Sequence, residues 1–452
     1  MKKLTSSNKN NHIMIKNVWF AGMALTVLIF ASSCKKDLNT SNKKFEKRSV
    51  RADYATAAAL PVQTVSGVIT TNTTWDNSKV WELSGVVIVA NGVTLTIQPG
   101  TYIKSVANTP GVSNGVLVVI RGAKINAVGT PESPIVFTSR NLLDNNVATG
   151  PNPGDFGGVM LLGKAHVNTV SGTKQIEGLP VYSYFEFGAP RGTEVENDNS
   201  GILSYVRIEY PGYYTTPNGE ISGLTLGGVG SGTTLDHIEI AYGQDDSFEF
   251  FGGTVNANYL ISKGAEDDNF DFDNGYNGSI RFAVAVADRN STHSGSGGSD
   301  SNGIELDNNA PGEDATFSLV PKTHPKLRNF SLIGTSVTNA GYKFGVRNRR
   351  GAEIELANSL ITGYPSGFVF NDGTQSFYAS GVSKLTNNDF HGFVAAITPT
   401  GTYTGNTEST TPTAPSFGMS QPFFNDGALG FVGAVKGAFA ISATWHLGWS
   451  TL

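Results

Sequence analysis

Leu235-Asp-His-Ile-Glu-Ile-Ala-Tyr-Gly-Gln-Asp-Asp-Ser-Phe-Glu-Phe-Phe-Gly-Gly253 is followed by Ala257-Asn-Tyr-Leu-Ile-Ser-Lys-Gly-Ala-Glu-Asp-Asp-Asn-Phe-Asp-Phe-Asp-Asn-Gly275, and the two match in register at an offset of 22 residues. Asp245-Asp246 falls on Asp267-Asp268, and Phe248-Glu249-Phe250 falls on Phe270-Asp271-Phe272. Upstream, Leu203-Ser-Tyr-Val206-Arg207-Ile208 repeats the first half of the unit, so that Arg207 falls on Glu239, and Leu224-Thr-Leu226 repeats the second. Downstream, Ile304-Glu305-Leu306, Tyr342-Lys343-Phe344 and Phe368-Val369-Phe370 read as later copies separated by insertions. A unit of this length, built of short strands and turns, closes one coil of a parallel β-helix, with coils stacked about 4.8 Å apart. Side chains alternate along a strand, so the recurring Phe248 and Phe250 face inward and Glu249 faces outward. Each coil then buries its apolar face only against its neighbours.

The remaining composition agrees. The chain has 54 glycines and only 15% charged residues, and short β-branched runs punctuated by Gly, Asn and Asp recur where a helical protein would show 3.6-residue periodicity. Val86-Val-Ile-Val89, Leu95-Thr-Ile97, Val116-Leu-Val-Val-Ile120 and Ile135-Val-Phe137 are further short strands. No Leu-x-x-Leu-x-Leu pattern recurs, and a propeller needs repeats about twice as long. The fold class expected is all-β, a right-handed parallel β-helix over residues 59–395, followed by a C-terminal loop and cap over 396–452 in which Trp445 and Trp449 pack. A formal charge of −5 argues against nucleic acid as a partner.

The N-terminus carries a second message. Lys2, Lys3, Lys9 and Lys16 precede an apolar run over 18–31, which is of signal-core length and short for a membrane span. Ala31-Ser-Ser-Cys34 follows, and Cys34 is the only cysteine. This stretch resembles a bacterial lipobox. The resemblance implies a signal peptide over 1–33, a lipidated Cys34, and a flexible tether over 34–58, where apolar residues are scarce. Phe156-Gly-Gly-Val-Met-Leu-Leu-Gly163, Gln175-Ile-Glu-Gly178, Asp198-Asn-Ser-Gly-Ile-Leu-Ser-Tyr-Val-Arg-Ile-Glu-Tyr210 and the Gly-Ala-Phe439…Trp445…Gly-Trp449 ending resemble extracytoplasmic β-helix lipoproteins of Bacteroidetes. The resemblance implies an outer-membrane, lipid-anchored protein on the cell surface or the periplasmic face. It supports fold and location and brings no assigned activity. The partners expected are the membrane, through the anchor, and a polysaccharide or an outer-membrane uptake receptor.

The chemistry concentrates in one stripe. Residues 235–275 hold ten Asp or Glu and one Lys. The repeat stacks Asp245 near Asp267 and Asp246 near Asp268, and it lines Glu249, Asp271 and Glu305 in an outward column that Lys343 continues, with Arg347, Arg349 and Arg350 following closely and Asp273 beside them. Carboxylates about 5 Å apart repel one another, so something must offset the stack. Three readings stand. The stripe is a solvated face with Asx turns and basic neighbours. Or Asp245, Asp246, Asp267 and Asp268 hold Ca²⁺, a hard cation that takes several oxygens. Or the carboxylates act on a polysaccharide as acid and base. Gly243-Gln-Asp-Asp246 resembles the Asp-Asp motif of polygalacturonases, but the next coil has Glu266-Asp-Asp-Asn269 where those enzymes need a histidine, and no catalytic residue is assigned. The function expected is an anchored β-helix that binds or scaffolds, with Glu249, Asp271, Asp273, Glu305, Lys343 and Arg347 as the ligand face. A lyase or glycoside hydrolase and a purely structural envelope protein are the alternatives.

Overall fold

A computed structural model of the chain describes residues 50–107, 114–213, 219–294, 300–335, 339–409, 436–439, 442 and 444–452. Cys34, the expected signal over 1–33 and the tether up to residue 49 lie outside the described residues. Among the described residues, no helix is long and apolar enough to cross a membrane.

The fold is a right-handed parallel β-helix. The strand Thr234–Ala241 runs parallel to Asn256–Lys263, and Phe248–Phe251 runs parallel to Phe270–Asp273. The pairings Leu235 with Ala257, Phe248 with Phe270 and Glu249 with Asp271 are those of the 22-residue repeat. Inside the coils, Leu224, Phe248, Phe270, Ile304, Val346 and Phe368 form one column, each fully buried. The rings of Phe248 and Phe270 stack at 5.1 Å and 7°. Burying such a side chain contributes about 1.5–3 kcal/mol, so the column alone supplies much of the drive to coil.

In seven successive coils the chain bends at one residue. Tyr205, His237, Tyr259, Phe282, Asn329, Asn358 and Asn387 all stand there with φ between 51° and 61°. Asn tolerates this left-handed conformation; the aromatic residues are held in it by mutual stacking. Tyr205–His237 and His237–Tyr259 centroids lie 4.4 Å apart, and Tyr259–Phe282 lie 5.1 Å apart. His237 is therefore a rung of a packed ladder.

Three expectations are corrected. Residues 50–58, read as the end of the tether, form the helix Val50–Ala58, which buries Tyr54 and Ala57 against Val80, Val136 and Leu143. Apolar positions 54 and 57 lie three apart, enough for one buried helical stripe. The C-terminal cap packs on the flank of the coils. Trp445 and Trp449 stack edge-on against His237, Gly437 donates to the Asn358 carbonyl, and Thr451 donates to Glu239. It runs as a strap across successive coils, back toward the middle of the solenoid. Finally, Glu305 pairs with Arg347, and Lys343 lies outside the column. The observed copy is Val346-Arg347-Asn348, four residues later than Tyr342-Lys343-Phe344, and the register shift between Ser301 and Asn302 accounts for one of the four.

Helix and strap meet in one buried ion network. Tyr54 Oη donates to Glu209 at 2.6 Å and accepts from Arg207 at 2.6 Å. Arg207 pairs with Glu209 and stands 3.7 Å from Glu239, whose oxygens accept from Thr451.

Candidate functional site

The stripe of carboxylates lies on the outer face of the sheet formed by Leu224–Gly227, Phe248–Phe251, Phe270–Asp273, Ser301–Leu306 and Tyr342–Asn348, and on the turns that lead into it. The alternation that sends Phe248 and Phe270 into the core sends Glu249 and Asp271 out, as the repeat requires. Outward, however, does not mean solvated here. Asp245, Asp246, Glu249 and Asp268 are all under 9% exposed. Part of the cover comes from the excursion between Gly158–Leu162 and Gly201–Glu209, where Thr173–Gln175 and Glu186–Gly188 form a hairpin. Phe187 of that hairpin stacks on Phe251 at 5.7 Å. The excursion also brings in Lys174 and Glu177. Lys174 pairs with Glu313 at 2.7 Å and donates to Asn274 at 2.8 Å. The Glu177 and Glu249 carboxyls share a hydrogen bond.

Two overlapping triads result. One oxygen from each of Asp245, Asp246 and Asp267 lies within 4.8 Å of the others, and so does one from each of Asp246, Glu249 and Asp271. Of the four expected metal ligands, three are brought together. The fourth, Asp268, is committed locally: its Oδ1 accepts from the Asn302 amide at 2.5 Å, while its own amide donates to Asp246 at 2.8 Å. Glu249 and Asp271, expected on the ligand face, take its place. The sequence shows their column but not its approach to Asp246, which depends on how the turn curls into the strand.

The electrostatics divide the stripe. At one end Arg349 pairs with Glu305 and with Asp307 at 2.8 Å, Arg350 with Asp307 at 2.7 Å, and Arg347 with Glu305 at 3.2 Å. Burial raises the Glu305 carboxyl while Arg349 and Arg347 pull it back, leaving it at about 7. At the other end, among the described residues, no lysine or arginine forms an ion pair with Asp246, Glu249, Asp268 or Asp271. Burial first, and then the neighbouring carboxylates, push all four well above the usual carboxylate range. Asp273, nearer Lys174, is raised by burial to about 7, as is Glu177. The hydroxyls of Ser222, at 3.0 Å, and Thr225, at 3.5 Å, donate to Glu249. Asp271 Oδ1 is sealed from solvent and accepts no hydrogen bond.

An all-oxygen, anionic donor set of this size fits a hard divalent cation. Ca²⁺ binds oxygens at about 2.3–2.6 Å, so ligand atoms around one ion lie within about 5 Å of each other. The orphaned Asp271 oxygen is the kind of atom such an ion would satisfy. Histidines are placed elsewhere. His166 bonds Glu196 and the Gly275 carbonyl, each at 2.8 Å, and His293 bonds the Glu266 carbonyl at 2.8 Å.

A family model described as a pectate-lyase-like β-helix domain matches residues 67–449. No curated protein and no solved structure matches the chain.

Proposed function

Because this chain belongs to the pectate-lyase-like β-helix family, we propose that it is a carbohydrate-binding β-helix whose carboxylate triads hold Ca²⁺ and, through it, an acidic polysaccharide. The observation that carries this reading is the pair of triads sharing Asp246, in which Asp246 and Glu249 are buried and, among the described residues, no lysine or arginine forms an ion pair with Asp246, Glu249 or Asp271. Ca²⁺ takes six to eight oxygens, and three or four carboxylates leave positions open. The carboxylate of a uronate residue completes the shell. A flat parallel sheet repeats such positions along its axis, which suits an extended polymer.

Binding is favoured over cleavage by the state of the arginines. Eliminative cleavage of a uronate needs a base to remove a carbon-bound proton. Arg347, Arg349 and Arg350 are each locked in ion pairs, and the carboxylates of Glu305 and Asp307 hold the Arg349 guanidinium even further from deprotonation than usual. We propose also that Cys34 carries a lipid that anchors the protein at the outer membrane; the apolar run and Ala31-Ser-Ser-Cys34 support this.

The test is retention on immobilised polygalacturonate in Ca²⁺ and in EDTA. Retention in Ca²⁺ that is lost in EDTA and in Asp246→Asn is expected. Equal retention in EDTA, or none in either buffer, would overturn the reading. Growth of unsaturated-uronate absorbance would replace binding with lyase activity. For the anchor, Cys34→Ala is expected to leave the membrane fraction.

A further inference from the structure

The turn Tyr242–Ser247 carries Asp245 and Asp246 toward the triads, and at its other end it opens a separate cleft. This cleft has a volume of about 390 Å³, in the range of a small-ligand site. One wall is an aromatic step: Tyr210 and Tyr242 stack at 5.4 Å and 13° at equivalent positions of successive coils. Gly264 takes the next position in that column, at φ +68°, and even a Cβ there would stand 2.9 Å from Tyr242 Cδ1. The column therefore changes from ring to bare backbone inside the cleft. The loop 151–153 forms the opposite wall.

The charged groups that line it are two carboxylates, Glu266 and Asp288. Glu266 is already filled, taking Thr292 Oγ1 at 3.1 Å, the Ser294 amide at 2.9 Å and Ser294 Oγ at 2.5 Å. Asp288 takes the Asn290 amide at 2.9 Å through one oxygen, and it lines the cleft beside Gly264. Among the described residues, no lysine, arginine or histidine lines it. Lys263 Nζ, 5.4 Å from the Tyr242 centroid, is tied to the Thr451 carbonyl at 2.8 Å.

We propose that this cleft is a subsite for a neutral pyranose residue, seated against the Tyr242 ring over Gly264 with its hydroxyls donating to Asp288. An aromatic face takes the C–H side of a sugar ring, and a carboxylate takes its hydroxyl protons. Two carboxylates and no cation reject a uronate. Because the same turn serves both sites, the polymer this predicts is a heteropolysaccharide that carries neutral sugars beside its acidic ones. The proposal rests on the carbohydrate reading above, but not on the cation.

The experiment is titration of the full chain in EDTA with hexasaccharides of glucose, mannose and galactose, and with a hexagalacturonate, followed by saturation-transfer NMR and calorimetry. At least one neutral oligosaccharide is expected to bind in EDTA, where the triad site is empty, so failure of one site is read separately from failure of the other. Tyr242→Ala should weaken binding about tenfold or more, and Tyr242→Phe should hold it within about twofold. Asp288→Ala should also weaken it, which keeps the test open if Tyr242→Ala does not fold. No binding by any neutral hexasaccharide, binding indifferent to both substitutions, or stronger binding of the galacturonate in EDTA would each overturn the proposal.

Discussion

The two ends of the acidic stripe solve one problem in opposite ways. Glu305 and Asp307 are buried on the same outer face as Glu249 and Asp271, with the same strand geometry beneath them. The first pair is neutralised from within the chain by Arg347, Arg349 and Arg350. The second pair and the aspartates of the turn receive hydroxyls, amides and each other. A coil-by-coil fold makes the contrast clean, because the only variable is which side chain the next coil supplies. Where that side chain is arginine the column is balanced within the chain, and where it is another carboxylate the balance is what the proposed cation would supply.

Removing the internal cation should have the largest effect. Arg349→Ala leaves Glu305 and Asp307 buried with their main partner gone, and a loss of about 3 kcal/mol in denaturant unfolding is expected. If Glu305→Gln in that background does not recover part of the loss, the arginines are not what balances this end. Supplying the external cation comes next. Ca²⁺ at a hundred times its dissociation constant should stabilise the chain by about 2.7 kcal/mol. An unfolding curve identical in Ca²⁺ and EDTA would erase the distinction between the two ends.

Asp246→Asn should act with the opposite sign to Arg349→Ala in metal-free buffer. It replaces a buried carboxyl, whose ionised form burial and its neighbours disfavour, by a neutral amide, so the apo protein should gain about 1 kcal/mol while losing its response to Ca²⁺. A loss of stability in EDTA would mean that the ionised Asp246 carboxylate is already balanced within the chain.

The remaining effect is on pH. Burial holds Glu177 and Asp273 at about 7, above their unfolded values of about 4.5 and 3.8. Between those limits the folded protein binds more protons than the unfolded one, so its stability falls as pH rises through about 7 and levels off above it. Metal-free protein should therefore melt at a higher temperature at pH 5 than at pH 8. Ca²⁺, which needs the ionised form, should stabilise more at pH 8 than at pH 5. A melt that rises with pH in EDTA would contradict the burial of these groups.

Much of this was legible in the sequence, for a physical reason. A parallel coil repeats its register exchange for exchange, so Phe248 over Phe270 and Asp245 near Asp267 could be read by alignment alone. Legibility ended where the chain left the repeat. The excursion carrying Lys174 and Glu177 has no counterpart in other coils, so nothing in its sequence says that it folds over the acidic face. Arg347 stands where Lys343 was expected, because the insertion before this strand breaks the 22-residue period and leaves the alignment no anchor, and the bulge between Ser301 and Asn302 adds one more residue of shift. Trp445 and Trp449 announced that they would be buried, but their spacing carried no information about which surface would receive them.

That surface matters for how the molecule comes apart. A stack of coils that touch only their neighbours can fray one turn at a time from an open end. Here residues more than two hundred positions apart are joined, Thr451 to Glu239, and the strap crosses the coils between them. Pulling on the C-terminus would load a shear contact in the middle of the rod before any terminal coil could peel away. The protein should resist such a force as a closed circuit does, holding until the strap lets go and then failing over many coils at once.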